Sequence, residues 1–164
     1  RRYFLNINKE ELEEMFEYSE GNLYWKKDIG TRKKGELAGK TGSSHGYMAT
    51  SIGKTYILIH RAIFLIHHGY LPKHVDHIDG DKLNNRIENL RPADASNNSA
   101  NSEKRKSNTV GYKGVHVDKR NGRYCAKIMK DRKQIHLGKF DTAQEAHEAY
   151  MAAATKLFGD FARE

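Results

Sequence analysis

One cysteine, Cys125, stands among the 164 residues. That scarcity excludes disulfides within the chain and sulfur-rich zinc centres, so any bound metal has to be held by oxygen or imidazole. Long apolar runs are equally lacking. The longest, AIFLIHHG from Ala62, is far too short to span a bilayer. No signal-peptide pattern opens the chain, and a soluble intracellular protein is expected. No aromatic pair stands on a predicted exposed strand in the manner of an RNA-reading sheet, which weakens an RNA-binding reading. Acid is in short supply too: 29 lysines and arginines face 21 acids, for a net charge of +8 and a pI near 9.5. That balance favours a polyanionic partner, although charge alone does not separate DNA from RNA or an anionic membrane.

The length admits one ordinary domain or two small ones with thin cores, and a change of pattern along the chain favours two. NKEELEEMFEYS offers Asn8 as an N-cap with Glu11 three residues on and Leu12, Met15 and Phe16 at helical spacing, which predicts a short helix. GNLYWKK, GYMATSI and TYILIH alternate or run apolar between glycine-bearing turns and predict a small antiparallel sheet. HRAIFLIHHG is a helical run ended by Gly69, and the polar stretch from Pro92 to Asn101 predicts a further short helix. NSEKRKSNT is basic and almost without apolar residues, so it marks a boundary. Beyond it YKGVHVD, RYCAKIMK and QIHLGKF predict three strands, and a Thr142–Glu145 capping box opens a helix with Ala146, Ala149, Tyr150, Ala153 and Leu157 on one face. Ala126 and Ile128, with Ile135 and Leu137, are expected to pack on that helix, leaving Lys127, Met129, Gln134, His136, Lys113 and His116 on a polar, basic face. A sheet of this size enters a DNA major groove.

The stretch VDHIDGDKLNNRIENL, Val75 to Leu90, is too polar for core and too specific for filler. Hydrolysis of a phosphodiester requires a nucleophilic water, an electrophile on the phosphate and a stabiliser for the leaving oxygen. A neutral imidazole deprotonates the water, and one hard divalent cation held by oxygens serves the other two needs. Asp76 and His77 are adjacent and on a strand point to opposite faces, which assigns Asp76 to a metal and His77 to the water, with Asn89 orienting the imidazole or its loop. The second oxygen ligand has to come from the following helix, where Asn97, Asn98 and Asn101 are all available. A helix-loop-helix calcium site is excluded, because a register from Asp76 meets Ile78 and Gly80 and one from Asp79 meets Leu83 where oxygen ligands are required.

Asp76-His77, the IDGDKLNN turn, NRIENLR and the asparagines of SNNSAN resemble the HNH nucleases, whose active site is a ββα-metal unit. The preceding GYMATSIGKTYILIHRAIFLIHHG is similar to the segment leading into that motif in phage and intron-encoded homing endonucleases. The resemblance implies that Asp76 and Asn98 ligate the metal, that His77 is the general base and that Asn89 is the middle asparagine; Asn98 lies nine residues after Asn89, as in the family pattern. Pro92-Ala93 departs from the aromatic and β-branched pair of many relatives. GYKGVHVDKRNGRYCAKI, IHLGKFDTAQEAHEAYMAAA and FGDFA resemble the DNA-binding domain of plant ethylene-response and APETALA factors. Where the plant domains carry arginines and tryptophans, this chain has Lys113, His116, Lys127, Met129, Gln134 and His136, so the fold is implied and the plant base preference is not.

These readings combine into an α+β chain: an HNH domain at 1–102 with its ββα-metal core at about 73–102, a basic linker at 103–110, and at 111–164 a small three-stranded antiparallel sheet packed on one helix. The implied activity is site-specific, homing-type DNA cleavage with one Mg²⁺ or Mn²⁺, nicking one strand per active site. The partner is double-stranded DNA, with no membrane and no organic cofactor, a monomer being favoured over a dimer. A phage or mobile element would encode the protein, which would act in the host cytoplasm. Arg61, Lys104, Arg105, Lys113, His116, Lys127, Gln134 and His136 are the DNA-contact candidates, although a solvated charged linker explains Lys104 and Arg105 equally simply. His67, His68 and His74 are read as structural. The alternative function is a DNA-binding regulator with a non-catalytic HNH fold, and the filled base and metal positions favour the enzyme.

Overall fold

A computed structural model describes residues 8–41, 46–104 and 107–163. Two compact units divide it, Arg1–Pro92 and Ala93–Glu164.

In the first unit, helix α1 (Lys9–Met15) starts at the predicted capping box: Asn8 Oδ1 accepts from the Glu11 amide at 2.8 Å, and Glu11 Oε2 accepts from the Asn8 amide at 3.1 Å. It stops earlier than its sequence suggested. At Phe16 the chain turns extended, and β1 (Phe16–Ser19) pairs antiparallel with β2 (Asn22–Trp25). Phe16, Leu23 and Trp25 are thereby buried together, with the Phe16 and Trp25 rings 4.7 Å apart; alternate burial in a hairpin outweighs the helical spacing of Met15 and Phe16. The expected single sheet is accordingly two. The second is β3 (Lys40–Thr41), β4 (Met48–Ile52) and β5 (Thr55–Leu58), antiparallel in that order.

The chain then enters α2 (Ile59–His68), which buries Ile59, Ala62, Ile63, Phe64 and Leu65 and ends at Gly69 in the left-handed conformation. Strand β6 (His74–His77) pairs with β7 (Leu90–Ala93), and a 3-10 turn at Ile87–Asn89 precedes β7. Val75 and Leu90 join the same core as Leu12, Phe16 and Ile57. The β1–β2 turn braces the polar loop between β6 and β7. Glu20 and Gly21 have φ of 47° and 84°, the two-residue hairpin geometry in which glycine is favoured. A Cβ on Gly21 would lie 2.8 Å from the Arg86 nitrogen. Arg86 Nη2 pairs with Glu20 Oε2 at 2.9 Å, and the Ile87 amide donates to the Tyr18 hydroxyl at 3.1 Å.

The second unit holds α3 (Ala95–Ala100), capped by Asp94 Oδ1 accepting from the Asn97 amide. Three antiparallel strands follow, β8 (Val115–Val117), β9 (Tyr124–Lys130) and β10 (Lys133–Phe140), in the order β10-β9-β8, and α4 (Ala143–Phe158) packs on them from the predicted Thr142–Glu145 capping box. Val115, Ala126, Ala146, Ile128, Tyr150, Ala154 and Phe158 form its core. Ile135 stays 39% exposed, because the register slips between His136 and Gly138 and a bulge carries that end of β10 away from a full partner layer. Helix α3 belongs to this unit through buried Ala100, which packs with Ile128 and Tyr150, and through Ser96 Oγ, which accepts from the Asp131 amide at 2.9 Å.

Candidate active site and nucleic-acid interface

Strand β6 delivers Asp76 and His77 at its C-terminal end, 6% and 4% exposed. Burying a carboxylate is costly unless it is paired, and the facing strand supplies the pair: Arg91 Nε lies 2.9 Å from Asp76 Oδ2 with both side chains largely buried. The sequence reading did not single out Arg91, although its place next to Leu90 on the strand opposite Asp76 was the available signal.

His77 Nε2 lies 2.9 Å from Oδ1 of Asn85, a side chain only 1% exposed. Asn85, and not Asn89, is therefore bonded to the imidazole. Asn89 ties the loop instead: its Oδ1 accepts from the Asp79 amide at 3.1 Å, its Nδ2 donates to Asp79 Oδ1 and to the Asn84 carbonyl at 2.9 and 2.7 Å, and its carbonyl accepts from the Ile78 amide at 2.9 Å. Of the two roles expected for Asn89, orienting the imidazole or its loop, the geometry has the second. Asp79 adds bonds from Asn84 Nδ2 and the Asp81 amide. Burial pushes the Asp79 carboxyl up, but the bonds from Asn84, Asn89 and Asp81, with His77 nearby, prevail and hold it below its usual range.

Aromatic groups enclose the other sides of His77. The Tyr47 ring stacks at 5.9 Å and the His60 ring meets it edge-on at 5.0 Å. His60 is 4% exposed, and burial, helped by the nearby charges of His77 and Arg61, brings its pKa down to about 3, so it stands neutral beside the candidate base at any working pH. Burial, with Asp76 second, raises the Tyr47 hydroxyl. Arg61 follows His60 on α2, and its Nη1 donates to the Lys73 carbonyl at 3.2 Å. His67 Nδ1 contacts the Ile63 carbonyl at 2.9 Å, in keeping with a structural helix-end residue.

Asn98 lies on α3 in the second unit, half-buried, with Asn97 and Asn101 on the same short helix and its C-cap. No group of three or more His, Cys, Asp or Glu side chains suited to a metal occurs among the described residues. The Asp76 carboxylate and the Asn98 amide oxygen are each hard donors of the kind that Mg²⁺ or Mn²⁺ accepts.

On the sheet of the second unit, Lys127 pairs across the strands with His136, and Met129 with Gln134. His116 pairs with Cys125, which shares a face with Lys127 by alternation. The expected polar face therefore exists. A cavity of about 660 Å³ at the β8 edge is lined by Lys104, Lys113, His116, Lys127 and Gln134 among others, so five of the eight DNA-contact candidates meet at one place. Burial lowers the His116 pKa, and the charges of Lys127 and His136 add to that, against a smaller opposing pull from Asp118 and the Cys125 backbone. Lys113 Nζ donates to the carbonyls of Ala100 and Arg163, and burial, then the Arg163 charge, brings its pKa down to about 8. Lys104 Nζ donates to the Gly111 carbonyl at 2.7 Å. Arg105 lies outside the described residues.

A family model described as HNH endonuclease matches residues 58–100, and one described as AP2 domain matches 110–160. The first match spans α2 through α3 and straddles the division at Pro92. The chain is 37% identical over 127 residues to an uncharacterized HNH endonuclease of Acanthamoeba polyphaga mimivirus, covering 76% of this chain and 63% of that protein. It therefore spans less than two thirds of that relative's length. Against Protein 3.8 of Escherichia phage T7 the identity is 35% over 97 residues, 58% of this chain and 79% of the phage protein. An AP2/ERF and B3 domain-containing transcription factor of Arabidopsis thaliana is 49% identical over 51 residues, 31% of this chain and 15% of that protein. No solved structure matches. No helix among the described residues is long and apolar enough to cross a membrane.

Proposed function

Because this chain belongs to the HNH endonuclease family and carries an AP2 domain at residues 110–160, we propose that it is a site-specific, divalent-metal-dependent DNA endonuclease of the homing type that nicks one strand per active site. The observation that carries this reading is the end of β6, where His77 and Asp76 are buried side by side and each is held by a named partner, Asn85 and Arg91. A base and a ligand fixed in this way start the reaction already oriented.

In the proposed reaction His77 takes a proton from water as the water oxygen attacks phosphorus, and the bond from phosphorus to the leaving oxygen breaks. Asp76 and Asn98 would hold the divalent ion, which when bound supplies charge stabilisation to the phosphate and the leaving oxygen. Arg91 fixes the Asp76 carboxylate on its Oδ2 side. Asn89 keeps the Asp79 turn closed behind the base. One catalytic set per chain gives one cut per binding event, and a monomer suffices for a nick. The AP2 domain supplies most of the site recognition, through Lys127, His116, Gln134 and His136 on its sheet face, while Arg61, Lys104 and Arg105 contribute phosphate contacts. Lys113, engaged with two carbonyls, would support that surface and add positive charge to it.

Duplex DNA labelled separately on each strand tests the proposal. Cleavage of one strand that requires Mg²⁺ or Mn²⁺, stops with EDTA and is lost in Asp76→Ala and His77→Ala with binding retained is the expected result. Metal-independent cutting, or full activity in both variants, would overturn it. Tight binding without any cutting by the wild type would favour the regulatory alternative.

A further inference from the structure

We infer that Met129 and Gln134 together read one A·T base pair in the major groove, Gln134 bonding the adenine edge and Met129 packing on the thymine methyl. The inference rests on the reading of the chain as a DNA endonuclease and names a feature of the target that its second unit selects.

Strands β9 and β10 form a two-stranded ribbon closed by the turn Asp131-Arg132, whose φ values of 49° and 64° are those of a tight primed hairpin. A ribbon of this kind is one of the elements that a major groove admits. Side chains alternate along it: Ala126 and Ile128 enter the core beneath α4, and Lys127 and Met129 go to the opposite face. Met129 stands directly opposite Gln134, the pair nearest the turn on that face. Gln134 is exposed, and Met129, 52% exposed, is the most exposed large apolar side chain among the described residues of this unit. Both line the cavity of about 660 Å³, with Lys104, Lys119 and Lys127 around it, so they face open space beside positive charge.

The chemistry of the pair singles out one base pair. A side-chain amide donates and accepts side by side. In the major groove adenine offers the matching acceptor N7 and donor N6, whereas guanine shows two acceptors. Gln134 Oε1 then accepts from N6 while its Nε2 donates to N7. The complementary thymine carries its C5 methyl on the same groove edge, and cytosine has none. Met129, unbranched and polarisable, shapes itself to a methyl group. Directly opposed residues stand roughly 5 Å apart at Cβ, close enough to address the two halves of one base pair. Lys127 and His136 form the next pair along this face and carry no amide, so the preference for A·T is assigned to the row at the turn.

Selection of random duplexes by the full chain in EDTA tests this without cutting. The expected sites share one A·T pair at a fixed position. Replacing it by G·C weakens wild-type binding roughly tenfold or more, and Gln134→Ala removes that distinction. Replacing its thymine by uracil, which lacks only the methyl, weakens the wild type roughly fourfold, the effect of about one buried carbon, and leaves Met129→Ala unmoved. Both side chains are exposed, so neither variant opens the core, and an unfolding midpoint measured beside each titration checks that. Sites without a shared A·T pair overturn the inference, as do an A·T preference that survives in Gln134→Ala, an equal uracil penalty in Met129→Ala, or a wild-type chain that enriches no sequence. A chain that selects the expected sites yet leaves them uncut in Mg²⁺ removes the nuclease reading and keeps the assignment of Met129 and Gln134. One that cuts in Mg²⁺ at sites lacking the pair does the reverse.

Discussion

At the end of β6 each polar side chain is spoken for by protein: Asp76 by Arg91, His77 by Asn85, Asn89 by Asp79 and Asn84. On the β8–β10 sheet, Gln134 and His136 stand exposed and Lys127 half-exposed on the side away from α4. The first arrangement spends folding energy to fix geometry before any ligand arrives, as chemistry on a single phosphate demands. The second leaves its donors to the solvent until a duplex replaces the water, as suits a surface that samples many sequences and rejects most of them. A substitution in the first region should therefore cost activity or folding, and one in the second should cost affinity.

His77→Ala is the sharpest break of that contrast. It should lower nicking by roughly a thousandfold, the scale of a lost general base, while filter binding changes little; because it removes a buried ring and leaves the buried Asn85 amide without it, the unfolding midpoint should fall as well. Arg91→Met tests the folding side: it removes the charged partner of a buried carboxylate and should destabilise the first unit by about 3 kcal/mol. Trp25 is the only tryptophan in the chain and lies in that unit's core, so its fluorescence during urea unfolding isolates the effect. Lys127→Ala belongs to the other region. Affinity should fall roughly fivefold with a salt dependence shallower by about one phosphate, at unchanged stability; an unfolding shift as large as that of Arg91→Met would erase the distinction between the regions.

Lys113 gives the smallest effect and a sign that can be worked out. Its pKa in the folded protein is about 8 against an ordinary 10.5. The unfolded chain therefore holds the proton more tightly across that interval, and the cost of burying the ammonium, full below the folded value, is relieved as pH rises through it. Wild type should thus gain on Lys113→Met between about pH 8 and pH 10.5, by no more than about 1 kcal/mol once the half-exposed position is discounted for solvent screening. A gap that narrows over the same range would contradict the assigned direction.

How far the sequence could be read depended on whether the signal was local. Asn8–Glu11 and Thr142–Glu145 announced their helices because a capping box closes within four residues. Asn121-Gly122 and the Asp131-Arg132 turn delimited β9 and β10 for the same reason. Met15-Phe16 misled, since the pairing of Phe16 with Trp25 that ends α1 is made across a hairpin the helical pattern does not contain. In the site, Asp76, His77 and Asn89 were legible by residue type and spacing. Asn85 was not distinguished from its neighbour Asn84, because nothing in one dimension tells that Asn85 turns inward to His77 while Asn84 turns to Asp79. Arg91 was hidden likewise by a cross-strand pairing.

Cys125 sits in the middle strand of the β8–β10 sheet, 4% exposed, and no other thiol exists in the chain. A thiol reagent can reach it only in the fraction of time that the sheet lies open, so the rate of labelling is the intrinsic reaction rate multiplied by an opening equilibrium. The protein thus carries a built-in gauge of the second unit. A cognate duplex that grips the sheet should slow the labelling in proportion to its grip, and the slowing, measured against DNA of other sequences, would rank candidate target sites without a single bond being cut.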